Sequence, residues 1–430
     1  MNQAIQPGAV LSTIEGEKVV VRNQFDRGGQ GYVFFCEYRG VRRVLKVWIS
    51  GATTPEQRRQ LVINCRNGSP SKAFAWPLAV VVAKDGEPIG YVMPYVGGAD
   101  CGTLQSRMFG DCDATYYALT TAAIETTAAM ITLHGRGRFY GDLNTNNLIF
   151  NRKHGRTWLV DVDNVVPEGC DIGIAFTFGA ASPSLVLGKS KPGAHGDAYA
   201  LACIHFMLLV GGVPLEGKRA ATACAPDFEA MTRLHGSDPL FVFDPKDDSN
   251  RPDPVVQAGV SESWALLPKK IRAMFTQSFT SGLHDPHARY GETTWRNALV
   301  ELRDSIVLCG KCGAQVYTEA EKESSCWHCG RNVTPKRVVS VGDQRVVVNP
   351  GVSLFPHHTD KTRRGDLAAP IGTFVRHPKD KTRIGLAHRS GAAWTVTTAK
   401  GGVQHVGEGG VAPLARGNRI GFGTSEALIT

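Results

Sequence analysis

The sequence has no long apolar run, no block of like charge and no leader-like start. Its longest apolar stretch, Ala198 to Val210, is too short to cross a bilayer and contains His205. The opening MNQAIQPGAV has neither a basic start nor an apolar core. A cytoplasmic chain with no membrane partner is therefore expected. Lysine and arginine give a net charge of +9 and a pI near 9.0, yet they form no long run. The charge reads as a solubility feature, and no nucleic-acid partner is expected. A disulfide framework is also missing: of eleven cysteines, four sit in two C-x-x-C pairs and the rest are scattered, the usage of a reducing compartment. Gly188-Lys189-Ser190 lacks a glycine five residues before it and a preceding strand, which excludes a P-loop.

What is present is a folded composition, 42% apolar and 20% charged over 430 residues, enough for about two to four domains. The most informative stretch is Tyr140-Gly141-Asp142-Leu143-Asn144-Thr145-Asn146-Asn147-Leu148-Ile149-Phe150, followed by Leu159-Val160-Asp161-Val162-Asp163-Asn164. It joins an Asp, an Asn five residues later, an apolar run and a second Asp in a short strand pattern. Upstream, Gly28-Gly29-Gln30-Gly31-Tyr32-Val33 is a glycine turn between apolar strands, open to the approach of phosphate. Lys46 lies in the apolar strand Val44-Leu45-Lys46-Val47-Trp48 and needs an anion to be buried there. Thr53-Thr54-Pro55-Glu56 reads as a helix start, and Asp85-Gly86 as a hairpin turn before Tyr91-Val92-Met93-Pro94-Tyr95-Val96.

In this order and spacing the motifs over residues 18–302 resemble the protein-kinase family. The resemblance implies a bilobal α+β kinase fold over 1–305, with lobes at about 14–96 and 97–305. It implies ATP and Mg²⁺ as cofactors and a protein substrate phosphorylated on Ser or Thr. By it, Asp142 orients or deprotonates the attacking hydroxyl, and Asn147 and Asp161 hold Mg²⁺. Lys46 meets the nucleotide phosphates under Gly28, Gly29, Gly31 and Val33, while Met93, Pro94 and Val96 meet adenine. Glu56 is either the acid that pairs with Lys46 or a helix-capping residue. Asp163 replaces the glycine of the metal motif and reads either as an addition to the metal site or, the favoured reading, as an Asx-turn residue. Asp197 resembles the residue that braces the catalytic loop, and Arg289 the arginine of the last structural motif, although Ser184 stands where its acidic partner belongs.

Two further departures bear on activity. Gly141 replaces the arginine before the catalytic Asp, and Asn144 replaces the lysine that steadies the transferring phosphate. They leave a pseudokinase scaffold as the alternative, with a small-molecule phosphotransferase behind it. The hinge and the Asp-Val-Asp motif resemble a bacterial serine/threonine kinase group, which implies a von Willebrand A-type protein and a PP2C-type phosphatase, as in tellurite-resistance-like triads, as partners.

Cys309-Gly310-Lys311-Cys312-Gly313 and Cys326-Trp327-His328-Cys329-Gly330 have the spacing of a structural zinc ribbon, expected over 306–335. From 336 to 430, alternating short strands such as Val346-Val347-Val348, Arg383–Leu386, Ala393–Val396 and Arg419–Gly423 predict a small all-β sandwich. Its ending faintly resembles forkhead-associated domains, with Arg383, His388 and Arg389 as the available cations. A docking sandwich without phosphopeptide recognition is the favoured reading.

Overall fold

Strand-forming sequence at the start of the chain closes on itself. The computed structural model describes residues 5–170, 176–221, 227–319, 324–363, 365–367, 369–380 and 382–430. Six antiparallel strands, β1 (Val10–Thr13), β2 (Lys18–Arg27), β3 (Gly31–Tyr38), β4 (Val41–Trp48), β5 (Ala79–Val82) and β6 (Pro88–Met93), form a barrel. Their order is β1-β2-β3-β4-β6-β5, with β5 returning to β1. Period-2 alternation places Val19, Val21, Phe34, Cys36, Leu45, Val81 and Val92 in one apolar cluster inside it. Two glycines are required by close approach. A β-carbon on Gly31 would lie 2.6 Å from the Val47 carbonyl oxygen, and one on Gly90 would lie 2.1 Å from that of Lys46. Gly28 and Gly29 face open space instead.

Between β4 and β5 runs α1 (Pro55–Asn67), opened by a capping box: Thr54 Oγ1 accepts from Gln57 N–H, and Gln57 Oε1 accepts from Thr54 N–H. Downstream, the helix Tyr116–His134 packs on Ala194–Val210. The second is apolar all round and buried almost throughout, as a helix without a polar face must be. His205 within it is held neutral by burial, its pKa pulled down to about 3, and bonds Thr127 Oγ1 at 2.9 Å. Among the described residues no helix is long and apolar enough to cross a membrane.

The chain divides into two compact units, 1–264 with 273–295, and 265–272 with 296–430. This differs from the expected boundaries at 305 and 335. The first strand also begins at Val10, before the expected start near 14. The cysteine ribbon and the following β region are one unit because they share a core: Val307, Val316 and Val333 pack with Val338 and Val347. Asn349 ties them further, donating to the Ile306 carbonyl at 2.5 Å. Beyond that joint, a six-stranded and a four-stranded antiparallel sheet enclose one apolar cluster around Trp394, Phe374, Leu354 and Leu386. His388 is buried there, its Nε2 bonded to the Ala392 carbonyl at 2.6 Å and its ring 4.0 Å from Trp394. It belongs to the core and offers nothing to a surface phosphate.

Candidate active site

A short hairpin sets the geometry. Strands Leu148–Asn151 and Thr157–Leu159 pair antiparallel with Leu148 opposite Leu159. Asn147 and Val160 therefore leave the ladder side by side, and Val160 N–H donates to the Asn147 carbonyl at 3.0 Å. Asp161 follows directly. Its backbone is left-handed, with φ 60° and ψ 50°, a conformation that disfavours L residues by ~1–2 kcal/mol and that Asp tolerates better than most. The strain turns the chain so that both Asp161 and Asp163 reach Lys46.

Lys46 is 5% exposed, in β4. Its Nζ donates to Asp161, and to Asp163 at 3.0 and 3.3 Å. Burial alone would lower its pKa, but the two carboxylates hold it above its usual value. Asp163 is buried as well and accepts a further bond from Trp48 Nε1 at 3.0 Å. Burial opposes its ionisation; Lys46 and Trp48 outweigh it and keep the carboxyl low. Asp161 goes the other way: burial and the neighbouring Asp163 charge raise it, against the pull of Lys46.

This placement corrects two expectations. Asp163 lies in the short 3-10 turn Val162–Asn164, but its carboxylate bonds Lys46 and Trp48 rather than its own backbone. Glu56 is exposed in the first turn of α1, 3.8 Å from Arg59, and does not come to Lys46. The inward face of α1 carries amides instead. Gln57 Nε2 donates to Asn164 Oδ1 at 3.3 Å and Asn64 Nδ2 to the Val165 carbonyl at 2.7 Å. One helix position separates Glu56 from Gln57, about 100° around the axis.

Around Asp142 the loop is cross-braced. Thr177 Oγ1 donates to Asp142 Oδ1 at 2.9 Å. Asn144 Nδ2 reaches both the Asp142 carbonyl at 3.1 Å and Thr177 Oγ1 at 3.2 Å. Burial raises the Asp142 carboxyl, while bonds from Asn144 and Thr177 work against the rise. Asn147 Nδ2 donates to the Asp142 carbonyl at 2.9 Å, which leaves its Oδ1, a hard oxygen, as the atom suited to a cation. No motif in the sequence singles out Thr177. Its only signal was membership of the segment between the second Asp and Ser182-Pro183-Ser184.

Beneath the loop, Asp197 accepts from the backbone N–H groups of Tyr140 at 2.6 Å and Gly141 at 3.0 Å. His134 joins it, with Nε2 2.9 Å from Asp197 and Nδ1 2.5 Å from Glu292. Burial alone would lower the imidazole; hydrogen bonds to the two acids outweigh it and raise its pKa to about 9. The protonated form therefore stabilises the fold fully below its unfolded value of 6.5, and this is lost as pH rises through about 9. His134→Gln is expected to lower stability by about 1–3 kcal/mol at pH 6 and by little at pH 10. Urea titrations at both pH values measure the difference.

Arg289 has carbonyl partners where the sequence left its acid missing: Nε donates to Gly282 and Nη1 to His195, each at 2.8 Å. Val44 and Met93 share an apolar cluster with the partly buried Val33, Val96 and Val160. Gly28 N–H is bonded to the Gly31 carbonyl at 2.9 Å, which shapes the turn above. Pro94 follows Met93 directly at the end of β6.

In the second unit the four cysteine sulfurs lie within 4.8 Å of one another, with Cys309 to Cys329 at 3.7 Å and Cys312 to Cys326 at 3.5 Å. A tetrahedron with Zn–S of ~2.3 Å puts sulfurs about 3.8 Å apart. The two knuckles repeat each other: Gly313 N–H donates to Cys309, and Gly330 N–H to Cys326, at 2.9 and 2.8 Å. Both glycines are left-handed, at φ 77° and 69°, which explains the glycine after each pair. No protein-family model matches the chain, and no curated protein matches it.

Proposed function

We propose that the chain is a serine/threonine protein kinase that uses ATP and Mg²⁺. The observation that carries this reading is the meeting of Lys46 with Asp161 beside a braced Asp142–Asn147 loop. Each group comes from a different stretch of sequence, at the places the motif order requires. Lys46 binds the nucleotide phosphates, and the turn at Gly28 and Gly29, where no neighbouring atom crowds the backbone, covers them. The apolar residues Val33, Val44, Met93, Val96 and Val160 receive the base. Asn147 and Asp161 would hold Mg²⁺, which neutralises phosphate charge. Asp142 orients the attacking hydroxyl and accepts its proton, and Thr177 fixes the carboxylate in place. The four cysteines would hold a structural zinc.

A second reading, a nucleotide-binding scaffold, is favoured by Asn144. Its amide occupies the bracing position but brings no charge to the transferring phosphate. Asn144→Lys is expected to raise the transfer rate ~10-fold or more, by supplying the missing cation. The experiment that separates the readings is labelled-ATP transfer by the purified chain. Label on protein supports the kinase; label only on small hydroxylated compounds supports a small-molecule phosphotransferase. ATP binding without transfer under any condition supports the scaffold.

For the ribbon, metal analysis of the chain is expected to find a zinc on the four thiolates that Cys309→Ser or Cys326→Ser releases. Because such sites fold with their metal, chelation is expected to unfold the segment around it.

A further inference from the structure

The C-terminal unit holds another group of ligand-type side chains, away in sequence from the four cysteines. Asp304 ends the helix Glu292–Asp304, and His357 and His358 lie in the short helix Pro356–Thr359. They are 4%, 5% and 3% exposed, and their ligand atoms lie within 4.8 Å of one another. Three titratable side chains buried together are costly unless something satisfies them.

Hydrogen bonds decide which nitrogens carry hydrogen. His357 Nδ1 lies 3.2 Å from the Asp366 carbonyl, which can only accept. Its hydrogen is therefore on Nδ1, and Nε2 presents a bare lone pair that meets no hydrogen-bond partner among the described residues. His358 is the opposite tautomer. Its Nδ1 accepts from Phe355 N–H at 2.8 Å, so Nε2 carries the hydrogen and gives it to Asp304 Oδ2 at 2.8 Å. Among the described residues the second carboxylate oxygen, Asp304 Oδ1, is buried without a hydrogen bond and forms an ion pair with Arg303 Nε at 3.7 Å.

Among the described residues, a neutral imidazole nitrogen and a carboxylate oxygen ion-paired with Arg303 thus lack hydrogen bonds in one buried cluster. The remaining polar atom of each is already braced, His357 by a carbonyl and Asp304 by His358. Ligands of a bound metal are held in this way, since the outer bond fixes the tautomer and the orientation. All three residues also line a cavity of about 1010 Å³.

We propose that His357 Nε2 and Asp304 Oδ1 hold a divalent transition ion of the zinc type, with His358 as the positioning residue for the carboxylate. Imidazole and carboxylate together suit such an ion better than Mg²⁺ or Ca²⁺. With two protein ligands the set is incomplete, unlike the four-cysteine cluster, so an exogenous ligand completes the coordination.

The test uses the full chain, stripped of metal and reloaded with Co²⁺ in the absence of nucleotide. Two ions per chain are expected: one with intense thiolate charge-transfer absorption, and one with the weak visible bands of nitrogen and oxygen ligands. Asp304→Asn and His357→Gln are each expected to remove the second ion and leave the thiolate bands intact, which also reports that the unit still folds. His358→Gln is expected to weaken the second ion ~10- to 100-fold. A wild-type chain that shows only the thiolate ion overturns the proposal, as does a second ion that survives both ligand variants. In the first case a water donating to both bare atoms accounts for the cluster.

Discussion

Asp142→Ala is expected to lower phosphoryl transfer by ~10²- to 10⁴-fold, the range for loss of a positioned general base or hydroxyl-orienting group. ATP affinity is expected to change little, because Asp142 contacts the loop and Thr177 rather than Lys46. Stability should fall only modestly: the carboxylate receives the Thr177 hydroxyl, but the loop backbone is held separately by Asp197 and Asn147. Single-turnover measurement at saturating ATP, with nucleotide affinity determined independently, separates chemistry from binding. Thr177→Val tests the brace with the carboxylate intact. It removes the donor and is expected to reduce transfer less than Asp142→Ala, by ~10-fold, because the remaining backbone contacts still hold the loop. Equal rates for wild type and Asp142→Ala would assign any measured transfer to a contaminant and leave the scaffold reading in place.

The features legible in the sequence were those carried by local runs. The stretch from Tyr140 to Phe150 named Asp142 and Asn147, because a loop ending in a strand fixes their separation. The two C-x-x-C-G knuckles named the four cysteines whose sulfurs cluster, because each is a self-contained turn with a left-handed glycine. Strands Ile384–His388, Trp394–Thr397 and Arg419–Gly421 also fall where alternation places them.

What escaped needed long-range geometry. Glu56 was the only acid near the right place in the chain, but helical phase turned Gln57 inward instead. Asp163 read as a turn residue because nothing local reveals that the left-handed Asp161 will aim the following turn at β4. The boundary expected at 335 does not separate compact units, because Val307, Val316 and Val338 belong to one core although they lie in separate motifs. His357 and Asp304 are 53 residues apart and carry no recognisable spacing.

The same geometry yields the second large effect. Asp163→Ala is expected to destabilise the chain by about 3–5 kcal/mol, the range for breaking a buried ion pair, because Lys46 and Trp48 Nε1 both lose a buried partner. Asp161 remains beside Lys46, so the lower end is the safer expectation. Transfer is expected to fall ~10²-fold as the ammonium loses its fixed position facing the phosphates. Glu56→Ala, by contrast, removes an exposed acid on a weak surface pair and is expected to shift stability by less than ~0.5 kcal/mol, with activity nearly unchanged. A double-mutant cycle with Lys46→Met then isolates the pair: coupling of at least about 1 kcal/mol is expected for Asp163 and none for Glu56. The reverse ranking would mean that α1 rotates to bring Glu56 inward in the working state, and would return the role to the helix. If the ranking holds, the lysine is anchored by the same short turn that presents Asp161, the proposed Mg²⁺ ligand. Activity then needs no movement of α1, whose amides already grip Asn164 and the Val165 carbonyl.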